Sequence, residues 1–373
     1  MMPCKAQVIF NIIESIAPKV LAQEWDNVGL LIGDYSKDVN RLLLCLDVSE
    51  SVVEEAIFRE VDLIVSHHPV VFNQIKNIRT DLPLGRLVYK IVKNNLSVYS
   101  VHTNFDAAEN SMVNYLAGKM GLSETEVLIP VKEDPLKKVV VYVPEGYENK
   151  IIEVIGEVGA GFIGHYSHCT FRTFGTGTFK PLQGTNPFIG SVGKLENVKE
   201  YRIETIVQES KLKKLLLAIL KVHPYEEVAY DVYPLENKGV KIFGFGRIGK
   251  LKNSMSLREY ANYIKEILNI NCLKIVGDMD KKIKKVALLN GSGSDAIYEA
   301  YFKGADVLVT GDVSYHKALD ARNLGLAVID AGHFNTEIVF KEFMSNYLKQ
   351  QFDKIGVDVE ILLAKEEDVF KYL

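Results

Sequence analysis

Asp62-Leu63-Ile64-Val65-Ser66-His67-His68-Pro69 is the stretch on which the reading of this chain turns. Asp62 to Val65 is a short apolar run that reads as a buried strand. Two adjacent histidines just past it are poor core material, because a neutral imidazole carries one donor and one acceptor that both need partners. In open α/β sheets, ligands bind in the crevice outside the carboxyl ends of the strands. A second stretch, Gly332-His333-Phe334-Asn335-Thr336-Glu337, stands in the same kind of place, with His333 265 residues beyond His68. The two read as halves of one metal site.

Outward from the histidine pair, strands and helices alternate. Residues 7–22 carry Val8, Ile12, Ile16, Val20 and Leu21 at helical spacing. Strands are expected at 41–46, 62–65 and 96–101, with helices at 49–59, 84–94 and 110–119. The third strand ends in His102-Thr103-Asn104-Phe105-Asp106. The same grammar returns near the C-terminus. Strands at 285–289, 306–309 and 326–329 are each followed by a polar cluster and a helix, and a last strand is expected at 357–362. This is the doubly wound α/β signature, in two similar halves that pack as one domain.

Between the halves the order changes to strand, helix, strand, strand, helix, strand, the ferredoxin-like arrangement, with a glycine-bearing hairpin expected at 165–173 and 176–180. The resulting division is 1–127 for the first half, 128–236 for the insert and 237–373 for the second half. Pro130, Pro135 and Pro234 lie near the insert's borders.

At the strand ends stand His67, His68, Asp106, His333 and Glu337. Three imidazoles and two carboxylates suit zinc, manganese or iron. His333 and Glu337 are four apart at a helix start and share a face. Neighbouring side chains on extended backbone point apart, so His67 and His68 suit two metals better than one. Five ligands also exceed the three that a catalytic zinc takes. Any one of these histidines alone would more often be a hydrogen-bonded structural residue. Five acids and imidazoles landing after strands of one fold is a much less ordinary coincidence. His102, His316 and Asp312 occupy the same layer and are candidates for supporting or proton-transfer roles.

Two stretches are more equivocal. Glu24-Trp25-Asp26-Asn27-Val28-Gly29-Leu30 reads as a turn with a packed Trp25. Asn290-Gly291-Ser292-Gly293-Ser294 could cradle phosphate but lacks a P-loop lysine, so a plain tight turn is as good a reading.

The 373-residue chain is 47% hydrophobic and 25% charged, with a net charge of -4, which argues against coating nucleic acid. No apolar run approaches the ~18–20 residues of a membrane span. Cys4, Cys45, Cys169 and Cys272 form no C-x-x-C pair, as expected of free thiols in a reducing compartment. With no clean leader segment, a cytoplasmic location is expected.

The motifs Glu24 to Leu30, Ser66 to Pro69, His102 to Asp106, Thr310 to His316 and Gly332 to Glu337 together resemble the NIF-three-like family, also called the GTP cyclohydrolase 1 type 2 homologues. The middle segment, with His223-Pro224-Tyr225-Glu226-Glu227, resembles the CutA/PII-like insert of longer bacterial members. The resemblance implies two divalent metal ions per chain, His67 and Asp106 on one, His68 and His333 on the other, with Glu337 bridging. It further implies a toroidal homohexamer with the metals facing a cavity that could admit a nucleotide or other small molecule. The implied activity is a metal-dependent hydrolase that opens the GTP purine ring, with His102 or His316 moving protons. A metal-handling or small-molecule-sensing protein without turnover, or a regulatory scaffold, are the rival readings.

Overall fold

The computed structural model describes residues 4–236 and 241–371. The expected border at residue 237 falls on residues 237–240, which lie outside the described residues. The chain divides into two compact units, Met1–Lys132 with Phe243–Leu373, and Glu133–Ile242.

The larger unit is mixed α/β. Its N-terminal part runs β1 (Cys4–Lys5), α1 (Ala6–Ile16), β2 (Gly29–Ile32), β3 (Asp38–Val39), β4 (Arg41–Cys45), α2 (Glu50–Phe58), β5 (Leu63–Ser66), α3 (Pro83–Lys93), β6 (Ser97–Ser100), α4 (Thr103–Asp106), α5 (Met112–Lys119) and β7 (Leu122–Asp134). The smaller unit contributes β8 (Leu136–Pro144), α6 (Glu148–Glu157), β9 (Thr170–Phe179), β10 (Glu196–Gln208), α7 (Glu209–Val222) and β11 (Tyr230–Pro234). The chain returns through β12 (Lys241–Ser256), α8 (Leu257–Leu268), β13 (Lys274–Val276), β14 (Lys282–Ser292), α9 (Ile297–Phe302), β15 (Val307–Gly311), α10 (Tyr315–Leu324), β16 (Ala327–Asp330), α11 (His333–Glu337), α12 (Val339–Ile355) and β17 (Glu360–Leu363).

Two sheets build the larger unit, in the orders β17-β4-β5-β6-β2 and β13-β16-β15-β14-β12-β7. In the first, β17, β4, β5 and β6 are parallel. In the second, β14, β15 and β16 are parallel. Side chains alternate across a strand. Leu42 and Leu44 therefore face a core shared with Ile9 and Phe10 of α1 and Phe340 and Met344 of α12. Leu43 and Cys45 face the opposite core, with Val52, Val53 and Ile91. The second sheet repeats the device. Val286 and Val309 pack with Leu116 and Tyr260 on one face, and Ala287, Leu308 and Val328 with Ile297 and Ala321 on the other.

The sheets do not divide at the middle of the sequence. Helix α12 lies on the first sheet and β17 pairs with β4, although both follow the strands of the second. Strand β7 in turn precedes the smaller unit yet closes one edge of the second sheet.

In the smaller unit a four-stranded antiparallel sheet has the order β11-β8-β10-β9. Ile151 and Ile155 of α6 and Leu215 and Ile219 of α7 bury Val139, Val141, Val143 and Ile203 of that sheet. The expected short hairpin at 165–180 is instead one strand, β9, that pairs with β10 along its whole length. Gly175 and Gly177 sit within it rather than at a bend. A Cβ at Gly177 would collide with the Glu200 carboxylate, so the glycine leaves room for that side chain as it lies over β9.

Candidate metal centre

The five expected ligands converge on Glu337. The backbone N–H groups of His67 and His68 donate to the Cys45 and Leu46 carbonyls at 3.1 and 2.9 Å, which continues strand pairing just past β5 and sends the two side chains apart. The His67 Nδ1 faces the Val101 carbonyl at 2.8 Å. A carbonyl can only accept, so Nδ1 donates to it and Nε2 is the ring nitrogen left to face the carboxylates. That atom is buried and has no partner among the described residues. It stands 3.8 Å from Asp106 Oδ2 and 3.8 Å from Glu337 Oε1. This is too long for a hydrogen bond. It is close to the span of two ligand atoms on one zinc, roughly 3.3–3.6 Å for tetrahedral bonds of ~2.0–2.2 Å.

The other carboxylate oxygen faces the other way. Glu337 Oε2 lies 3.1 Å from His68 Nε2 and 2.9 Å from His333 Nε2. Each oxygen of one buried carboxylate thus serves a separate set of ligands. The donor atoms of His68, His333 and Glu337, and those of His67, His68 and His102, lie within 4.8 Å of one another in each set.

Carboxylates and carbonyls orient the rings from behind, as expected around metal-binding histidines. Asp47 Oδ1 takes His68 Nδ1 at 2.8 Å, Asp312 Oδ2 takes His333 Nδ1 at 2.7 Å and Asp26 Oδ1 takes His102 Nδ1 at 2.9 Å. Asp312 is placed for this by a φ of +56°, a left-handed conformation that aspartate tolerates. Burial would lower the His68 imidazole, but Asp47 and Glu337 outweigh it and hold its pKa at about 10. For His333 burial is likewise outweighed by Glu337 and Asp312, and the pKa is about 9. Burial would raise Glu337, yet the imidazoles around it keep it well below the usual carboxylate range. Asp106 is raised, chiefly by burial. The centre is built to hold positive charge between its carboxylates.

Several participants were not legible in the sequence. Asn290 Nδ2 donates to Asp106 Oδ1 at 3.0 Å and to Glu337 Oε1 at 3.1 Å, clamping both carboxylates. Its only signal was a polar stretch after a strand. The expected phosphate cradle there is not a loop at its start, because Asn290, Gly291 and Ser292 complete β14. The Gly291 N–H is taken by Thr336 Oγ1 at 2.9 Å. Gly291 has φ +63°, and a Cβ there would strike Glu337 Oε1, so a glycine is what the ligand carboxylate leaves room for.

The expected turn at 24–30 places Asp26 behind His102, but Trp25 is not packed away. It is 57% exposed. His102 belongs to the cluster, with its ring centroid 5.2 Å from that of His67 and 5.5 Å from that of His68. His316 does not. It is exposed near the start of α10 with its ring edge-on to Tyr315, and is in neither donor set found among the described residues. The centre opens on a cavity of about 1510 Å³ lined by His68, His333, Asp47, Asp312, Lys274 and Glu366, among others.

The family Duf34/NIF3 (NGG1p interacting factor 3) matches residues 4–368. A Bacillus subtilis (strain 168) protein named GTP cyclohydrolase 1 type 2 homolog is 48% identical over 355 residues, covering 95% of each chain. A Halalkalibacterium halodurans protein of the same name is 43% identical over 368 residues, covering 98% of each. The crystal structure of a Bacillus cereus protein related to NIF3 superposes with a TM-score of 0.94 at 43% identity, over the whole of both chains. With a family match over nearly its full length, relatives of this identity and a matching solved fold, the chain belongs to the Duf34/NIF3 family.

Proposed function

We propose that the chain holds two divalent metal ions, zinc foremost and iron or manganese as alternatives, and uses them for hydrolysis. The observation that carries this is the division of Glu337, with Oε1 toward His67 and Asp106 and Oε2 toward His68 and His333. The buried, unpartnered His67 Nε2 supports it, since a buried lone pair without a partner is costly unless a cation completes it. Bound there, divalent ions would supply Lewis acidity and bring the pKa of a water toward neutrality.

The remaining chemistry belongs to the chain's own residues. Asn290 holds Asp106 and Glu337 in place. His102, steadied by Asp26, faces the ligand histidines with its other nitrogen and is positioned to take or give a proton. His316 is the other candidate for that role. The names of the relatives make GTP the first substrate to try, with opening of the purine ring as the reaction.

Three further readings go with this proposal. The smaller unit is a ferredoxin-like insert of the PII/CutA kind, supported by its strand order. The chain assembles as a homohexamer. It works in the cytoplasm, in keeping with the lack of a helix long and apolar enough to cross a membrane among the described residues.

The test is GTP turnover by the metal-assayed protein beside Glu337→Ala. The reading expects conversion by the parent, two metals per chain, and loss of both metal and activity in the variant. A parent that holds two metals and leaves GTP intact sinks the ring-opening chemistry while leaving the centre standing. Turnover that survives Glu337→Ala sinks the metal mechanism.

A further inference from the structure

Beside the centre, on the His102 side, two large aromatic rings stand in the open. Trp25 is 57% exposed and Phe72 50% exposed. Their centroids are 5.4 Å apart with planes inclined at 37°. Both rings meet His102 edge-on, Trp25 at 6.0 Å and 71° and Phe72 at 6.2 Å and 65°. His102 in turn adjoins both His67 and His68. The pair therefore forms a continuous wall from solvent to the ligand histidines.

This wall is held rigidly. The Asp26 N–H bonds the Gln23 carbonyl at 2.9 Å, closing the turn that carries Trp25. The Gln23 N–H bonds Thr103 Oγ1 at 3.0 Å, and the Thr103 N–H bonds Asp26 Oδ2 at 3.0 Å. Asn27 Nδ2 donates to the Val71 carbonyl at 2.7 Å, which ties the Trp25 turn to the segment bearing Phe72. A loop pinned at three points does not need two exposed aromatic faces for its own stability. Burying them would be favourable, so their exposure points to something that covers them.

We propose that Trp25 and Phe72 are the subsite for a planar heteroaromatic ring, of the purine or pterin class, whose polar end reaches the ligand histidines past His102. The position of that polar end rests on the hydrolase reading above; the ring subsite itself does not require turnover. Flat rings stack on aromatic faces with little demand on their hydrogen-bonding edges. The wall thus selects for a ring as a class, and the polar centre beyond it selects for what the ring carries. A second copy of the chain seated on the wall is the competing occupant.

Trp25 is the only tryptophan of the chain, so its emission reports this subsite alone. The full-length protein, zinc-loaded and metal-free, is titrated with guanosine 5′-monophosphate, with ribose 5-phosphate as the ringless control. Saturable quenching by the nucleotide and none by the sugar phosphate is the expected result. Phe72→Ala should weaken it about tenfold, from the ~1–3 kcal/mol that one aromatic stack contributes. Phe72→Leu, which keeps an apolar side chain without a ring, should weaken it likewise.

Equal quenching by ribose 5-phosphate, no quenching by the nucleotide, or undiminished quenching in both Phe72 variants would overturn the subsite. Emission that changes with protein concentration and is indifferent to nucleotide assigns the wall to a second copy and overturns it too. Quenching that persists in a protein that turns nothing over supports the subsite while removing the hydrolase reading.

Discussion

Glu337 is the residue in which the centre's organisation is concentrated, and its neighbours can be tested one at a time. Replacing Asn290 with alanine frees one oxygen each of Asp106 and Glu337 from its clamp without touching a ligand. Loss of such a supporting contact should weaken metal binding roughly 10–100-fold, read by competition with a chelator of known affinity. The raised histidines make a second prediction. In metal-free protein at neutral pH, His68 and His333 both hold protons, with pKa values of about 10 and 9. Zinc must displace them, so binding should release close to two protons per chain, and progressively fewer as the pH passes from about 9 to 10. Calorimetry in buffers of different ionisation enthalpy counts them. The stability linkage has the same origin. Their folded values lie above the ordinary ~6.5, so the stability these groups contribute to metal-free protein is full below about pH 6.5 and is lost as the pH rises through about 9–10. A metal-free melting temperature that climbs over that interval would refute the assignment.

At the scale of elements, the loop that follows Asp106 depends on a strand far away in sequence. Arg247 of β12 is 3% exposed, and its guanidinium donates to the carbonyls of Gly244, Gly246 and Ala108 at 3.0, 2.7 and 2.8 Å. The Gly244 N–H adds a bond to the Ala107 carbonyl at 2.9 Å. Arg247→Leu leaves those carbonyls buried without their donor and should cost about 2–4 kcal/mol in urea unfolding. It should also weaken metal binding if Asp106 is a ligand as proposed.

Contacts of this reach explain what the sequence could and could not reveal. His67, His68, Asp106, His333 and Glu337 were legible because each follows an apolar run, where polar side chains have no structural use. Asp26 and Asn290 lie in stretches that stood out, but what they and Asp47 hold was not legible, because the partners of Asp26, Asp47 and Asn290 lie 76, 21 and 184 positions away. The hairpin expected at Gly175 and Gly177 failed for a related reason. Gly177 leaves room for the Glu200 carboxylate across the sheet, and neither glycine marks a bend in its own segment. The placement of α12 and β17 on the first sheet was hidden likewise, since which edge a strand joins is settled by packing and not by its own pattern.

For the molecule as a whole, the proposed metal ligands come from both large sheets of the larger unit: His67, His68 and Asp106 after strands of the first, and His333 and Glu337 after a strand of the second. Ions shared among them would staple the sheets together. Chelation should therefore lower the melting temperature, by roughly 5–10 °C if each ion is present near a hundredfold over its Kd. An unchanged midpoint after complete removal of metal would mean that the sheets need no such link.

The strand that closes the first sheet has a consequence for how the chain is made. Arg41 and Glu360, which pair across the β4–β17 edge, are 319 positions apart. On the ribosome, β4 emerges long before β17. Throughout that interval β4, paired on one side with β5, presents its other edge without the partner that covers it in the finished fold. The nascent chain thus carries an open, association-prone edge through that interval, and a transcript cut short before Glu360 would leave that hazard permanent.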